Sequence, residues 1–252
     1  MLRMLDLFSG IGGFSYAGEK LVGGYETVAF CEYDKHAQKV LRKHWPNTEI
    51  IDDVRELAND ADRFRGLVDI VVGGYPCQPF SYSGVRRGDQ DYRHLWPAML
   101  AVIKKVRPTW VIGENVAGHI TLGIDTVLSD LEATGYSART FIIPAVAADA
   151  PHRRDRCWIV AHADSDSKSD GSINGKKRLV GDTTSTRCES GQKWSRSWGE
   201  ISGQQWWEAE PSICRVVDGL SGRVHRIRQL GNSIVPQVAA RILWAIKEAH
   251  NG

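Results

Sequence analysis

The sequence predicts an α/β protein built on a parallel-rich sheet. Three observations point there. Short apolar strands alternate with amphipathic helical stretches from Met4 to Ala161. A glycine-rich turn, Gly10–Gly13, follows the first strand directly. Reactive or acidic side chains recur just past strand ends, where open parallel sheets gather their ligands.

The elements follow in order. Met4–Phe8 is an apolar strand, and Thr27–Cys31 is a second with Glu32 at its end. Lys35–His44 is a helix that must stop before Pro46, because the residue preceding a proline disfavours the helical region. Val68–Val72 is a strand that enters Gly73-Gly74. Leu95–Val106 suits a helix ending before Pro108, with Lys104, Lys105 and Arg107 near its negative end. Trp110–Ile112 is a strand. Ile124, Val127, Leu128 and Leu131 recur at helical spacing, with Gly135 as the C-cap. Arg139–Ile143 and Arg156–Ala161 are strands, and Ile234–His250 is an amphipathic helix expected to pack back onto the sheet.

Between these parts the character changes. From Asp164 to Gln192 the only large aliphatics are Ile173, Leu179 and Val180, too few to bury a core, so the stretch reads as loop. Trp194, Trp198, Trp206 and Trp207 follow, able to pack a minimal lobe or to offer a stacking surface. Residues 1–162 with 229–252 therefore form one expected body, and 163–228 a short separate region.

Composition excludes several classes. Hydrophobic residues make up 42% and charged residues 25%, as in ordinary globular proteins. No apolar run approaches the ~20 residues that span a bilayer. The N-terminal MLRMLDLFSG leaves no room for a signal peptide before the first strand, so the expected compartment is the cytoplasm. Five scattered cysteines without a CxxC pair argue against both a disulfide framework and a structural zinc site, and no metal is expected. The net charge of +2 is uninformative, but Arg215, Arg223, Arg226, Arg228, Arg241 and Lys247 outweigh Asp218 and Glu248 near the C-terminus, which suits an anionic partner.

Five motifs carry the chemistry. In Asp6-Leu7-Phe8-Ser9-Gly10-Ile11-Gly12-Gly13, glycines let backbone approach a ligand at the start of a helix, and Glu32 stands where a carboxylate binds ribose hydroxyls. Ser15 occupies the place of the third glycine of the dinucleotide fingerprint, so a nucleoside cofactor without a pyrophosphate fits better than a nicotinamide one. In Gly73-Gly74-Tyr75-Pro76-Cys77-Gln78-Pro79, a thiol at a strand's C-terminal edge is held by prolines on both sides. Glu114-Asn115-Val116 puts a carboxylate just past an apolar strand, where burial raises its pKa and suits it to general acid work. In Pro151-His152-Arg153-Arg154-Asp155-Arg156, arginines two apart on an extended segment point to one side. Gly231-Asn232-Ser233-Ile234-Val235-Pro236 leads into the last helix.

In this order, DLFSGIGGFSYAG, GGYPCQPFSYSG, ENV, PHRRDR and GNSIVPQ resemble the DNA cytosine-5 methyltransferase family, in particular its compact bacterial and phage members. The resemblance covers residues 1–162 and about 228–252. It implies a Rossmann-like, S-adenosylmethionine-dependent methyltransferase sheet with a small, irregular target-recognition lobe. Phe8 is then expected to stack on the cofactor adenine, with backbone of Ser9, Gly10, Gly12 and Gly13 near the methionine portion. Glu32 is expected to bind the ribose, Tyr33 to pack on the adenine, Asp53 to accept from its amino group, and Asn232 and Ser233 to close the pocket. Cys77 is then expected to be the nucleophile that adds to cytosine, flanked by Pro76; Glu114 is expected to donate to ring N3, with Asn115 beside it in the catalytic set, and Arg154 and Arg156 to stabilise the adduct. Arg86, Arg87 and Arg93 are expected on a loop, 81–94, able to close over the flipped nucleotide and to touch phosphates. The implied partner is double-stranded DNA, met by a monomer in a bacterial cell or phage-infected host, with a cognate restriction endonuclease as a possible companion. A tRNA-directed branch shares these motifs, so RNA is the alternative substrate. The segment from Ala163 to Arg228 is short for a recognition lobe, and His152 stands where the family commonly has Gln.

Overall fold

The computed structural model describes residues 1–76, 95–150, 152–164 and 233–251. These fall in one of the two units into which the chain divides, Met1–Ser165 with Ser221–Gly252; the other, Asp166–Leu220, lies outside the described residues, as do the tryptophan-rich stretch and Lys176–Arg178.

Seven strands form one sheet: β1 Leu2–Leu7, β2 Tyr25–Cys31, β3 Glu49–Ile51, β4 Ile70–Gly73, β5 Trp110–Val116, β6 Tyr136–Ile143 and β7 Arg156–Ala163. Their order is β3-β2-β1-β4-β5-β7-β6. The pairs β1–β2, β1–β4, β2–β3 and β4–β5 are parallel, whereas β7 runs antiparallel between β5 and β6. Strand order reverses at β1 and β4, so their C-terminal ends open a crevice on one edge, the usual ligand position of such sheets.

The helices among the described residues are α1 Gly13–Tyr16, continued by a π-helical turn at Ala17–Val22, α2 Lys35–His44, α3 Val54–Asp60, α4 Trp96–Val106, α5 His119–Leu122, α6 Ile124–Ala133 and α7 Pro236–Asn251. Local chemistry explains several ends. The Asp34 carboxylate accepts from His36 N and Ala37 N and so caps α2, whose last turn carries Arg42, Lys43 and His44 against the negative dipole. Pro97 occupies the first turn of α4, where its missing N–H costs nothing. Gly135, at φ +85°, follows α6 and donates to Glu132 O, as expected of a helix-ending glycine.

Two apolar layers cover the sheet. On one face Leu5, Leu7, Val71 and Val111 meet Leu57, Val102, Ile103 and Leu131 from α3, α4 and α6. On the other, Met4 lies beside Gly18, where an added Cβ would stand 3.1 Å from its Cε, and Phe14 meets the Trp158 ring edge-on at 5.9 Å. The last helix rests chiefly on α1 and the π-helical turn rather than directly on the strands, and Tyr25 donates to Leu243 O at 2.6 Å.

The structure moves several expected boundaries. β1 begins at Leu2 and ends at Leu7, because Phe8 turns into the left-handed region at φ 53°. β5 continues through Val116, so Glu114 and Asn115 are strand residues paired with Trp158 and Cys157 rather than residues past the strand. The antiparallel direction of β7, and the elements β3 and α3, carry no clear signal in the local pattern. Of the basic C-terminal set, Arg241 and Lys247 donate to the backbone carbonyls of Ala147 and Gly23, and the other members lie outside the described residues.

Candidate active site

The site begins with the turn after β1. Phe8, Gly10 and Gly12 all have positive φ, at 53°, 55° and 86°. For a phenylalanine this conformation is uncommon, and such strain gathers where surrounding structure imposes a shape for use. The turn is fixed from beneath. Ser9 Oγ donates to Asp6 O at 2.5 Å, and Ser15 Oγ donates to Asp6 Oδ2 at 2.8 Å. Asp6 is fully buried, and its Oδ1 has no partner among the described residues. Desolvation pushes this carboxyl up to about 8, against the opposing hydrogen bond from Ser15. Neither Asp6 nor Ser15 stood among the expected site residues, although an acid inside Met4-Leu5-Asp6-Leu7-Phe8 is itself a signal of a buried carboxyl.

Glu32 joins two turns. Its Oε2 accepts from Gly10 N at 2.7 Å and its Oε1 from Asp34 N at 2.7 Å. Burial raises its pKa, with those amides acting the other way. A carboxylate has about four acceptor sites, so two amides leave capacity for ligand hydroxyls. Trp45, just past α2, seals the outer side of the turn: a Cβ on Gly12 would lie 2.7 Å from its ring, and its Nε1 donates to Glu19 Oε2 at 2.8 Å.

A cleft opens beside the turn, lined by Phe8, Ser9, Gly10, Gly13, Phe14, Gly74, Glu114, Ser233 and Ile234. Of the residues expected to hold a cofactor, this cleft gathers Phe8, Ser9, Gly10, Gly13 and Ser233. Gly12 faces Trp45 instead, Tyr33 is 78% exposed, and Asp53 caps α3 by accepting from Arg55 N at 2.8 Å. The neighbouring Asp52 is ion-paired with Lys35 and accepts from Gln38 Nε2 at 2.7 Å, so Asp52 is tied to α2 and Asp53 to α3. Asn232 and Cys77 lie outside the described residues, as do Pro151 and the 81–94 loop. Pro76 is described and exposed.

Glu114 joins the same cleft from β5. Its Oε1 meets Arg156 Nε at 2.9 Å, and Arg154 also acts on it electrostatically. Burial is the larger influence, and Glu114 stands above the ordinary carboxylate range despite both guanidiniums. The two arginines do not share one side of an extended segment. Arg156 opens β7, whereas Arg154 sits in a left-handed kink at φ 38° and donates to Ser233 O at 2.7 Å. Asn115 turns away from the cleft: its Nδ2 donates to Tyr75 O at 3.1 Å and its Oδ1 accepts from Val116 N. His119, which no motif had marked, is buried and shares a hydrogen bond with the Tyr75 hydroxyl.

The arrangement offers a protonatable carboxyl beside two guanidiniums, next to a glycine-lined cleft. No helix among the described residues is long and apolar enough to cross a membrane.

Comparison with known proteins agrees with this picture. Residues 2–208 match the family model of C-5 cytosine-specific DNA methylases. Type II methyltransferase M.Eco47II of Escherichia coli is 34% identical over 167 residues, covering 63% of this chain and 39% of the relative. Type II methyltransferase M.AgeI of Thalassovita gelatinovora is 31% identical over 195 residues, 71% of this chain and 44% of its own. The chain thus spans less than half the length of these curated relatives. Among solved structures, a DNMT2 mutant of Spodoptera frugiperda superimposes with a TM-score of 0.57 at 22% identity, covering 66% of this chain and 51% of that one. A DNA modification methyltransferase encoded within an E. coli prophage gives 0.54 at 25%, covering 68% and 49%. These likenesses match the fold, and the family model spans both the glycine turn and the Glu114 strand. The chain belongs to the C-5 cytosine-specific DNA methylase family.

Proposed function

We propose that the chain methylates carbon 5 of cytosine in duplex DNA, with S-adenosylmethionine as donor and Cys77 as nucleophile. One observation carries this reading: Glu114, raised by burial and clamped by Arg156, lines the same cleft as the Phe8–Gly13 turn. A base-directed acid and a nucleoside pocket then open onto one space.

The cleft suits the donor on three grounds. A Cβ at Gly10 would meet nothing within 4 Å, leaving open room at the turn. A Cβ on Gly13 would lie 2.6 Å from Ile234 Cγ1, so that backbone sits hard against the wall of the cleft. Glu32 stands at the turn with acceptor capacity for ribose hydroxyls. Phe8, Ser9, Gly10, Gly13, Glu32 and Ser233 would hold the donor, whose sulfonium supplies an electrophilic methyl group.

Carbon 5 of cytosine is a poor nucleophile while the ring is aromatic. Addition of the Cys77 thiolate at carbon 6 breaks that conjugation and gives carbon 5 enamine character. Glu114, whose pKa is raised by its burial, serves as the acid that donates to ring N3 as charge develops there. Arg156 and Arg154 keep Glu114 aimed and supply positive field. After methyl transfer a base removes the carbon 5 proton, and the thiol leaves by elimination. The base must be out of the stack for any of this, at a cost of about a few kcal/mol.

The test compares methyl incorporation into duplex DNA and into tRNA, with wild type and Cys77→Ser. Expected are incorporation into DNA, loss with Cys77→Ser, and a covalent adduct on Cys77 with 5-fluorocytosine DNA. Preferential transfer to tRNA would replace the substrate, and an adduct on another cysteine would replace the nucleophile. Bisulfite sequencing of DNA from an expressing host would identify the site.

A further inference from the structure

Beside the cleft lies a buried polar pair that the proposed chemistry does not use. The Tyr75 hydroxyl and His119 Nε2 are 2.9 Å apart, and both side chains are buried. Burying a phenol and an imidazole costs free energy that a Phe–Leu contact of the same shape avoids, and the pair regains it only by bonding. What such a bond adds over apolar contact is direction, since burial alone does not fix how a ring is turned.

The direction matters because of where Tyr75 sits. It follows the end of β4 and immediately precedes Pro76, which leads into Cys77. Proline fixes its own φ and restricts the residue before it to extended conformations, so little rotational freedom separates Tyr75 from the thiol-bearing residue. Several contacts of this stretch refer to the strand that carries Glu114. Tyr75 O accepts from Asn115 Nδ2 at 3.1 Å. A Cβ on Gly113 would lie 3.3 Å from Tyr75 Cε1, and one on Gly74 would lie 3.2 Å from Glu114 Oε2. The Tyr75 ring also meets the His119 ring edge-on at 5.5 Å and the Trp96 ring at 5.2 Å. Burial lowers the pKa of His119, which keeps the neutral imidazole against the phenol.

We infer that Tyr75 and His119 are a positioning pair, whose hydrogen bond fixes the Tyr75–Pro76 peptide against Asn115 on β5, next to Glu114. The inference rests on the proposed reaction. It assigns neither residue a contact with substrate.

The experiment uses the full chain and duplex DNA, with Tyr75→Phe, His119→Phe, the double variant and His119→Gln. Misplacing a reacting group by about 1 Å can cost on the order of 100-fold. A loss of about 10-fold in kcat is expected for each Phe variant, with KM for DNA and S-adenosylmethionine affinity held within about twofold. The double variant is expected to be no slower than either single one, because the bond is already broken. His119→Gln, which keeps a side-chain amide near the Nε2 position, is expected to recover most of the turnover. The His119 ring nitrogen signals should shift in Tyr75→Phe. Turnover of Tyr75→Phe within about twofold of wild type would overturn the inference. So would a loss carried by weaker cofactor binding, or effects that multiply in the double variant. Active Cys77→Ser, or a wild-type chain inert on DNA, would instead refute the proposed function; the ring-nitrogen shift still reports the bond itself in that case.

Discussion

Asp6→Asn isolates the energetics of the buried carboxyl beneath the glycine turn. Asp6 lies between Phe30 and Val72 in the sheet, fully buried, with Ser15 on one oxygen and no partner among the described residues on the other. Its pKa is pushed from 3.8 up to about 8. The native state therefore holds this proton at neutral pH, while the unfolded chain releases it near 3.8. Between those values the native state binds about one proton more than the unfolded state, so stability falls as pH rises. The contribution is fully present below the unfolded pKa and is lost progressively as pH climbs to about 8. The slope is about 1.4 kcal/mol per pH unit, hence about 2.7 kcal/mol between pH 5 and 7. Asparagine is neutral at both pH values and carries no such slope. Melting wild type and Asp6→Asn at pH 5 and pH 7 removes the local packing effect of the amide, because it is common to both conditions. The variant is expected to gain on wild type by about 5–10 °C from the lower to the higher pH. A difference between the two proteins that stays constant with pH would mean that Asp6 is ionised in the native state, and the account of the turn's support would fail.

Three further variants probe the same geometry. Gly12→Ala should lose about 1–3 kcal/mol of stability and bind S-adenosylmethionine about tenfold more weakly by calorimetry, because its Cβ meets Trp45 at 2.7 Å in a left-handed conformation. Gly10→Ala has positive φ but open space around its Cβ, so it should lose only about 1 kcal/mol; equal losses at both positions would deny the packing role of Trp45. Glu114→Gln should lower turnover about 10²–10³-fold at unchanged cofactor affinity, since an amide cannot deliver a proton to the base; a loss confined to KM would remove Glu114 from the chemistry.

Much of the sheet is legible in the sequence because β2, β4 and β5 contain the apolar runs Val28–Cys31, Ile70–Val72 and Trp110–Ile112, each followed directly by an acid or a glycine, and because Asp34 and Pro46 bracket α2 with ordinary capping chemistry. What escapes is whatever depends on partners distant along the chain. β3 has only three residues, all partly or fully exposed, and is a strand because Ala29, Phe30 and Cys31 stand beside it. The extension of β5 through Glu114 and Asn115 comes from its antiparallel partner β7, which no periodicity within 110–116 reveals. Asp53 illustrates a residue with two meanings: the local chemistry that makes it a helix cap is indistinguishable, along the sequence, from a cofactor acceptor.

In the arginine motif the geometry differs from the one that spacing suggests. Spacing of two suggests a pleated segment with Arg154 and Arg156 on one side. The backbone instead kinks at Arg154, and only Arg156 enters the strand. Both guanidiniums still act on Glu114, because a buried carboxyl in low dielectric draws positive charge from whichever backbone route delivers it. The kink adds something that a straight strand lacks. It lets Arg154 reach Ser233 O, on the segment that enters α7, while Arg156 holds Glu114 directly. Two walls of the cleft, contributed by residues far apart in sequence, are thereby tied to adjacent guanidiniums. A displacement of the Ser233–Ile234 segment would carry Arg154 with it and change the field at Glu114, so the Ser233 wall of the cleft and the Glu114 carboxyl are electrostatically linked.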